Sequence, residues 1–311
     1  MATPTHSIGK GSYIGRFAPS PTGPLHFGSL VSALAGFLDA RSHNGRWLVR
    51  IEDLDPPREQ PGAATTILDC LQAHGLHWDG EVMFQSQRLD DYARVLDTLS
   101  SEQLTYPCNC SRQDIQTMGG IYDGRCRRGA QMDDQIAVAI RLKVCQLPPT
   151  YIHRAGDIVF YDIFQGYQHQ HLGMDVGDFI IRRKDGLFAY QLAVVADDIA
   201  QGVTHVIRGS DLLDSTPRQI FLFQLLGANV PKFGHIPLIV NQQGQKLSKQ
   251  TSAPAIDNSC PSDNLFLALQ CLRHNPPSQI RTAAPADLLQ WAISHWRREK
   301  LPRHLSVEDP T

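Results

Sequence analysis

The sequence predicts an α/β fold: a parallel sheet assembled from two halves, an insert between them, and a short helical region at the C-terminal end. Three observations carry the prediction. Residues 13–55 read as strand, Pro/Gly loop, helix and strand, the unit that joins neighbouring parallel strands by a right-handed crossover. Residues 178–240 supply a second block of apolar strand and helix signals. Residues 106–129 interrupt the pattern with three cysteines in a Gly- and Arg-rich stretch.

Composition bounds the rest. A chain of 311 residues suits about two domains around one main core. With 42% apolar and 19% charged residues it is a soluble globular type. The net charge of −2 gives no global basic signal for nucleic acid, although a local basic face would suffice. Residues 1–12 have no apolar core of a secretory signal, and no uncharged apolar run approaches the ~18 residues that span a bilayer. The expectation is therefore a cytoplasmic chain with no membrane partner. Seven cysteines, three of them clustered, argue for a reducing compartment and a metal rather than a disulfide framework.

The first half opens on residues 13–17 as a strand. Pro19, Pro21, Gly23 and Pro24 then exclude both helix and ladder, leaving a shaped loop. Gly28 or Ser29 is expected to cap the next helix, in which Leu30, Val31, Leu34, Phe37 and Leu38 recur at helical spacing before Asn44-Gly45 stops it. Backbone N–H groups at that helix start can bind phosphate, Gly28 lets a flat ring or phosphate come close, and His26 adds a donor. Trp47-Leu-Val-Arg-Ile-Glu-Asp-Leu-Asp55 is apolar first and acidic last, as in a central parallel strand whose carboxyl end faces a site. On pattern alone, Glu52, Asp53 and Asp55 also fit a solvated strand end. Pro56 and Pro57 break the chain. Helices are expected over 65–74, with Ile67, Leu68 and Leu71 inward, and over 86–103, with Leu89, Tyr92, Val95, Leu96 and Leu99 as the apolar stripe.

In the insert, Cys108, Cys110 and Cys126 suggest a structural zinc site, which needs a fourth ligand. Tyr122, a distant histidine such as His153, or water are the candidates. Cys70, Cys145, Cys260 and Cys271 stand alone and read as buried hydrophobes. Residues 136–144 read as a strand, and 158–164 with 168–172 as strands or a hairpin. His169 and His171 share one strand face, but nothing near them in sequence completes a ligand set, so the reading is a polar face.

In the second half, residues 178–190 read as a hairpin with Asp185-Gly186 in the turn. An apolar segment, 191–199, ends in Asp197 and Asp198. Residues 203–211 form a short strand ending at Arg208 and Gly209. Ser215 is expected to cap a helix with Pro217 in its first turn. By pattern, Tyr190 suits a core position or a site, and Arg208 a surface ion pair or a site. Residues 237–241 form a strand leading into a Gly turn and a basic loop holding Lys246 and Lys249. Residues 264–274 and 286–298 read as two amphipathic helices.

Four stretches resemble one family in the same order. Pro-Ser-Pro-Thr-Gly-Pro-Leu-His26-Phe-Gly resembles the HIGH-type signature of class I aminoacyl-tRNA synthetases in its glutamyl form, with Phe27 for the commoner Ile. Arg50-Ile-Glu-Asp-Leu-Asp55 resembles the acidic strand end of glutamyl synthetases, and the block around Tyr190 and Arg208 is similar to theirs as well. Gly244-Gln-Lys-Leu-Ser-Lys-Gln250 resembles the KMSKS-type loop, departing at Leu247 and Gln250. Apart from these four, Cys-x-Cys followed by Tyr-x-x-x-Cys resembles the zinc module of glutamyl-queuosine tRNA(Asp) synthetases, in which the tyrosine coordinates. The resemblance spans residues 12–250.

It implies a class I aminoacyl-tRNA synthetase core with a Rossmann-type parallel sheet, a zinc-bearing insert and a short helical C-terminal region. The expected divisions are residues 1–105 and 176–250 for the two halves of the nucleotide fold, 106–175 for the insert and 251–311 for the helical region. By resemblance, Arg16, Phe17, Ala18, Pro19, Ser20, Glu52, Tyr190 and Arg208 bind L-glutamate, with Glu52 on its α-ammonium. His26, Gly28, Ser29 and Lys249 bind ATP, and His26, Lys246 and Lys249 stabilise charge on the phosphates with Mg²⁺. Cys108, Cys110, Tyr122 and Cys126 hold one structural Zn²⁺. The implied partners are ATP, L-glutamate and queuosine-bearing tRNA(Asp), acting on a monomer. The implied reaction activates glutamate without tRNA, which ordinary glutamyl synthetases require, and passes it to queuosine. Ordinary glutamyl synthetases continue into a large anticodon-reading domain where this sequence stops. A truncated enzyme charging a tRNA 3′ end, and a non-catalytic zinc and RNA-binding paralogue, are the alternatives.

Overall fold

The structure, a computed structural model, describes residues 13–129, 137–148, 156–241, 243–244 and 254–308. The opening unit folds as expected. β1 (Ile14–Phe17), α1 (Phe27–Ser42) and β2 (Arg46–Ile51) form the crossover, with β1 parallel to β2 from Ile14↔Arg46 to Phe17↔Val49. The helix begins earlier than the sequence suggests. His26, not Gly28 or Ser29, is the N-cap: its backbone is extended (φ −103°, ψ 167°) and its Nδ1 accepts the Ser29 N–H at 3.3 Å. The loop geometry explains this, because Leu25 and His26 are tied to a distant part of the chain: the Ile256 N–H donates to Leu25 O at 3.0 Å, and His26 and Ala255 form a β-bridge. Nor is α1 a one-sided stripe. Ten consecutive-range residues from Leu30 to Ala40 are buried, because the helix packs on β1 and β2 and is covered by elements from the end of the chain.

After α2 (Ala63–Ala73), β3 (Met83–Phe84) adds to β2 in parallel. In α3 (Leu89–Ser101), Tyr92, Leu96 and Leu99 are buried as expected, whereas Leu89 opens the helix and is exposed.

The stretch expected to form the insert holds β4 (Thr105–Cys108), α4 (Arg112–Thr117), β5 (Ala139–Leu142), β6 (Asp157–Asp162), β7 (Gly166–His171) and α5 (Leu172–Asp175). β6 and β7 form the expected antiparallel hairpin. His169 pairs with Asp157 (3.0 Å), while His171 accepts the Met174 N–H (3.1 Å) and caps α5, so the two histidines have separate structural partners. β8 (Phe179–Arg182) follows in the segment expected to begin the second half, yet it pairs antiparallel with β5, which itself pairs with β4. The expected turn at Asp185-Gly186 is present, with Gly186 at φ +87° and Arg182 bridged to Phe188.

The rest of the stretch expected to form the second half holds α6 (Tyr190–Ala200), β9 (His205–Gly209), α7 (Thr216–Leu225), β10 (Lys232–Ile236) and β11 (Leu238–Val240). β9 and β10 are parallel. β9 also lies beside β1, tied by Thr204 N–H to Ile14 O (2.9 Å) and Ile14 N–H to Thr204 Oγ1 (2.8 Å). The spatial order is therefore β3-β2-β1-β9-β10, and the winding direction reverses between β1 and β9. Ser215 makes no side-chain cap at α7, contrary to expectation. A 3₁₀ segment, Ser210–Ser215, runs directly into that helix and leaves no open turn to cap.

The chain closes with α8 (Pro261–Cys271), α9 (Pro285–His295) and β12 (Ser306–Glu308). Both helices start slightly ahead of the expected ranges, each with proline in its first turn. Fully buried Asp39 of α1 fastens this region to the core. It accepts from Tyr13 Oη (2.6 Å), Trp296 Nε1 (3.0 Å), and Arg298 Nε and Nη2 (2.7 and 2.8 Å). β12 pairs in parallel with β11. Cys70 and Cys271 are buried as expected, whereas Cys145 and Cys260 are half-buried. Among the described residues, no helix is long and apolar enough to cross a membrane.

Candidate active site

In an open parallel sheet, ligands bind beyond the carboxyl ends of the strands, where the winding reverses. A cavity of about 700 Å³ lies at that place. Arg16 and Phe17 come from the end of β1, Ala18, Pro19 and Ser20 from the proline loop, and His26, Gly28 and Ser29 from the start of α1. Glu52 follows β2, Tyr190 opens α6 and Arg208 lies on β9; all of these line the same cavity. Thr22, Ser32, Gly209, Asp211, Leu238 and Ile239 complete much of the wall. Eleven sequence-selected residues, separated by up to 192 positions (16 to 208), thus share one cavity. A Cβ at Gly28 would crowd the His26 ring at 3.3 Å and Ile239 at 3.6 Å, so glycine keeps the cavity open there. The His26 ring also lies on Ser29, with Nε2 3.0 Å from Oγ.

Buried charge is concentrated beneath the cavity. Arg50 of β2 is fully buried and donates to Asp198 Oδ1 (2.7 Å) and Gln201 Oε1 (2.7 Å), with Glu52 Oε1 at 3.3 Å. Asp198 also accepts Arg16 Nε at 3.3 Å. Asp197 takes Arg88 (2.7 Å), Gln85 (2.8 Å) and Tyr92 (2.9 Å). Burial pushes the Glu52 carboxyl above the usual carboxylate range; Arg50 and Arg16 oppose that shift and Asp198 adds to it. Burial would also raise Asp198, but Arg16 and Arg50 hold it below its ordinary value. Burial raises the Tyr190 phenol, whose oxygen lies 3.4 Å from Arg208 Nη1. The arrangement turns two buried guanidiniums, Arg16 and Arg208, and the Glu52 carboxyl towards one cavity, a set able to meet groups of both charges.

A second cluster lies in the insert. The Sγ atoms of Cys108, Cys110 and Cys126 all fall within 4.8 Å of one another, and Cys110 and Cys126 are 3.6 Å apart. Tetrahedral zinc with Zn–S bonds of about 2.3 Å sets its sulfurs about 3.8 Å apart. Tyr122 Oη is 3.6 Å from Cys108 Sγ and accepts the Cys126 N–H at 3.0 Å, which brings a fourth donor to the same point. Arg141 Nε donates to Cys108 Sγ at 3.1 Å, and its guanidinium stacks 3.8 Å from the Tyr122 ring centre. Burial would raise Cys108, but Arg141 and Tyr122 bring it below its ordinary value. Burial and the adjoining Cys126 push Cys110 up to about 12. A dication among these sulfurs would favour the thiolate form that metal ligation needs. The donor set therefore fits zinc. Gly177 (φ +70°) lets the module dock, since a Cβ there would meet Tyr122 O at 2.4 Å.

Comparison with known proteins agrees with this architecture. Residues 14–267 match the catalytic domain of the class I tRNA synthetases (E and Q). The chain is 51% identical over 298 residues to the glutamyl-Q tRNA(Asp) synthetase of Ectopseudomonas mendocina, covering 96% of this chain and 98% of that protein. Like-named proteins of Pseudomonas putida (50% over 306 residues, 98% of both chains) and Thiobacillus denitrificans (51% over 303 residues, 96% and 97%) are similarly alike. The chain belongs to the glutamyl-Q tRNA(Asp) synthetase family.

It is accordingly an ATP-dependent tRNA ligase with a class I catalytic fold. A glutamate-tRNA synthetase structure from Elizabethkingia anophelis shares that fold, with a TM-score of 0.77 and 22% identity over 96% of this chain and 68% of that one. A glutamate tRNA ligase from Elizabethkingia meningosepticum, solved with its amino acid, matches equally (TM-score 0.77, 22% identity, 96% and 67% covered).

Lys246, Lys249, Leu247, Gln250 and His153 lie outside the described residues. Sequence reasoning singled out no role for Arg50, Asp162, Asp197, Asp198 or His235. A signal existed for Arg50, because a lone arginine inside an apolar strand must find buried counter-charges. Asp197-Asp198 at the end of an apolar run was the matching half. Nothing local marked Asp162 and His235.

Proposed function

We propose that the chain activates L-glutamate with ATP, without bound tRNA, and then transfers the glutamyl group to queuosine in the anticodon of tRNA(Asp). The carrying observation is the near-full-length identity of about half with relatives bearing that name. The cavity supplies chemistry consistent with it. Glutamate has one ammonium and two carboxylates; Glu52 suits the ammonium, and Arg16 and Arg208 suit the carboxylates. Tyr190 and the 17–20 loop would frame the ligand.

In the first step an α-carboxylate oxygen attacks the α-phosphorus of ATP. The Pα–O bond to the β-phosphate breaks, and pyrophosphate leaves with its electron pair. The nucleophile is already ionised at neutral pH, so no general base is needed. Catalysis is then positioning and stabilisation of phosphate charge. His26, the backbone at Gly28 and Ser29, and Lys246 and Lys249 are the groups proposed for that role. Mg²⁺ arriving with ATP would neutralise phosphate oxygens. Zinc on Cys108, Cys110, Tyr122 and Cys126 would be structural, fastening the insert rather than taking part in the chemistry. In the second step a nucleoside hydroxyl attacks the glutamyl carbonyl and AMP departs. A monomer working in the cytoplasm completes the proposal, with domain divisions as expected from the sequence.

The test is charging of purified tRNA species with labelled glutamate, followed by nuclease mapping. Label should appear on the anticodon fragment of queuosine-bearing tRNA(Asp) and be absent from tRNA(Asp) lacking queuosine. Label on the 3′ adenosine overturns the acceptor assignment.

A further inference from the structure

Arg208 reaches the cavity with its guanidinium held from behind. Nη2 donates to Thr216 Oγ1 (2.7 Å) and Leu212 O (3.2 Å), and Nε donates to His235 Nε2 at 3.0 Å. His235 is fully buried on β10, in register with Arg208 of β9. Its other nitrogen, Nδ1, is 2.6 Å from Asp162 Oδ2. Asp162 is also fully buried, at the end of β6. Its second oxygen accepts the backbone N–H groups of Phe164 (3.0 Å), Gln165 (2.9 Å) and His235 (3.1 Å).

This chain of bonds allows one proton arrangement. A guanidinium has donors and no acceptor, so the ring nitrogen facing Arg208 must carry a lone pair. The ring proton then sits on Nδ1, where the Asp162 carboxylate accepts it. We propose that His235, held by Asp162 as the neutral Nδ1–H tautomer, is a positioning residue that sets Arg208 for the substrate carboxylate. The relay runs from the insert hairpin into the cavity, so the insert helps to build the amino-acid site. The proposal rests on the reading of Arg208 as a glutamate-binding residue. Asp162 lies on the β6 side, Arg208 on β9, Thr216 of α7 is 3.1 Å from Nε2, and Asp211 follows β9. Burial, the largest effect, and the Arg208 charge hold the imidazole below its usual pKa, against the opposing pull of Asp162 and Asp211.

The relay is tested first on the unsubstituted protein, by nitrogen-15 NMR of labelled histidine. The buried-histidine signal that vanishes in His235→Gln should show Nδ1 protonated and Nε2 bare near neutral pH, while those of His74 and His274, whose Nδ1 atoms face carbonyl oxygens, should remain. An imidazolium, or the Nε2–H tautomer, at His235 overturns the proposal without any variant needing to fold well. Pyrophosphate-exchange kinetics supply the second readout. Asp162→Asn can donate to Nδ1 and so stabilise the wrong tautomer. It should raise the glutamate KM 10- to 100-fold, leave the ATP KM within twofold, and change kcat little. In the Asp162→Asn background, His235→Gln, whose amide oxygen can again accept from Arg208, should recover most of that loss. Folded Asp162→Asn with wild-type glutamate KM overturns the proposal if Arg208→Ala raises KM. If Arg208→Ala leaves KM unchanged, the reading of the cavity falls and the relay's purpose with it, whatever the tautomer.

Discussion

Glu52→Gln removes one charge from the cavity and almost nothing else. The amide keeps the carboxylate's shape, and its oxygen can still accept Arg50 Nη2, now 3.3 Å from Oε1. Arg50 also retains Asp198 at 2.7 Å. Two unit charges about 4 Å apart attract by about 4 kcal/mol at an effective dielectric of about 20. Desolvating the α-ammonium takes part of that back, so a net loss of about 3 kcal/mol is expected, or roughly 10²-fold in the glutamate KM. Folding should respond in the opposite direction. A carboxyl whose folded pKa lies above its unfolded value destabilises the native state once ionised, so neutralising Glu52 should leave the thermal midpoint unchanged or slightly raised near pH 7. The assay is pyrophosphate exchange across a glutamate series, beside a thermal melt. A glutamate KM within threefold of the parent, in a variant that melts normally, would refute the placement of the ammonium on Glu52.

Three further outcomes follow from the described contacts. The purified protein should carry about one zinc per chain by metal analysis, and Cys110→Ser should lose most of it; a metal-free parent refutes the site. Asp39→Ala strips four hydrogen bonds from Tyr13, Trp296 and Arg298, and should cost about 3–5 kcal/mol in urea unfolding while leaving substrate KM values unchanged. Burial depresses the pKa of His74, His235 and His274, and lowers His205 to about 4. The unfolded chain therefore binds more protons from about pH 6.5 downward, so stability rises with pH across that window. The urea midpoint should fall between pH 7 and pH 5, and a flat profile contradicts the burial of these rings.

The sequence marked the parts of the fold that local chemistry controls. Prolines 19, 21 and 24 shaped the loop beneath the cavity, and apolar spacing located α1, α2 and α3. Where long-range contacts decide, it was silent or misleading. The α1 cap moved to His26 because Ala255 and Ile256, more than 200 residues on, hold the loop extended. β8 joined the insert sheet because β5 offered it an edge, which no pattern within 178–190 reveals. The same division holds at the site. Arg16, Glu52, Tyr190 and Arg208 lay in recognisable strings, and the cavity gathers them. Asp162 and His235, 73 positions apart, meet only through the packing of β6 against β10.

The most direct measurement of the central claim is ATP–pyrophosphate exchange with L-glutamate in the absence of tRNA, with Mg²⁺ and zinc supplied. The account predicts exchange that depends on L-glutamate and is not increased by adding tRNA. Exchange that appears only when tRNA is added, or none under either condition, would contradict it.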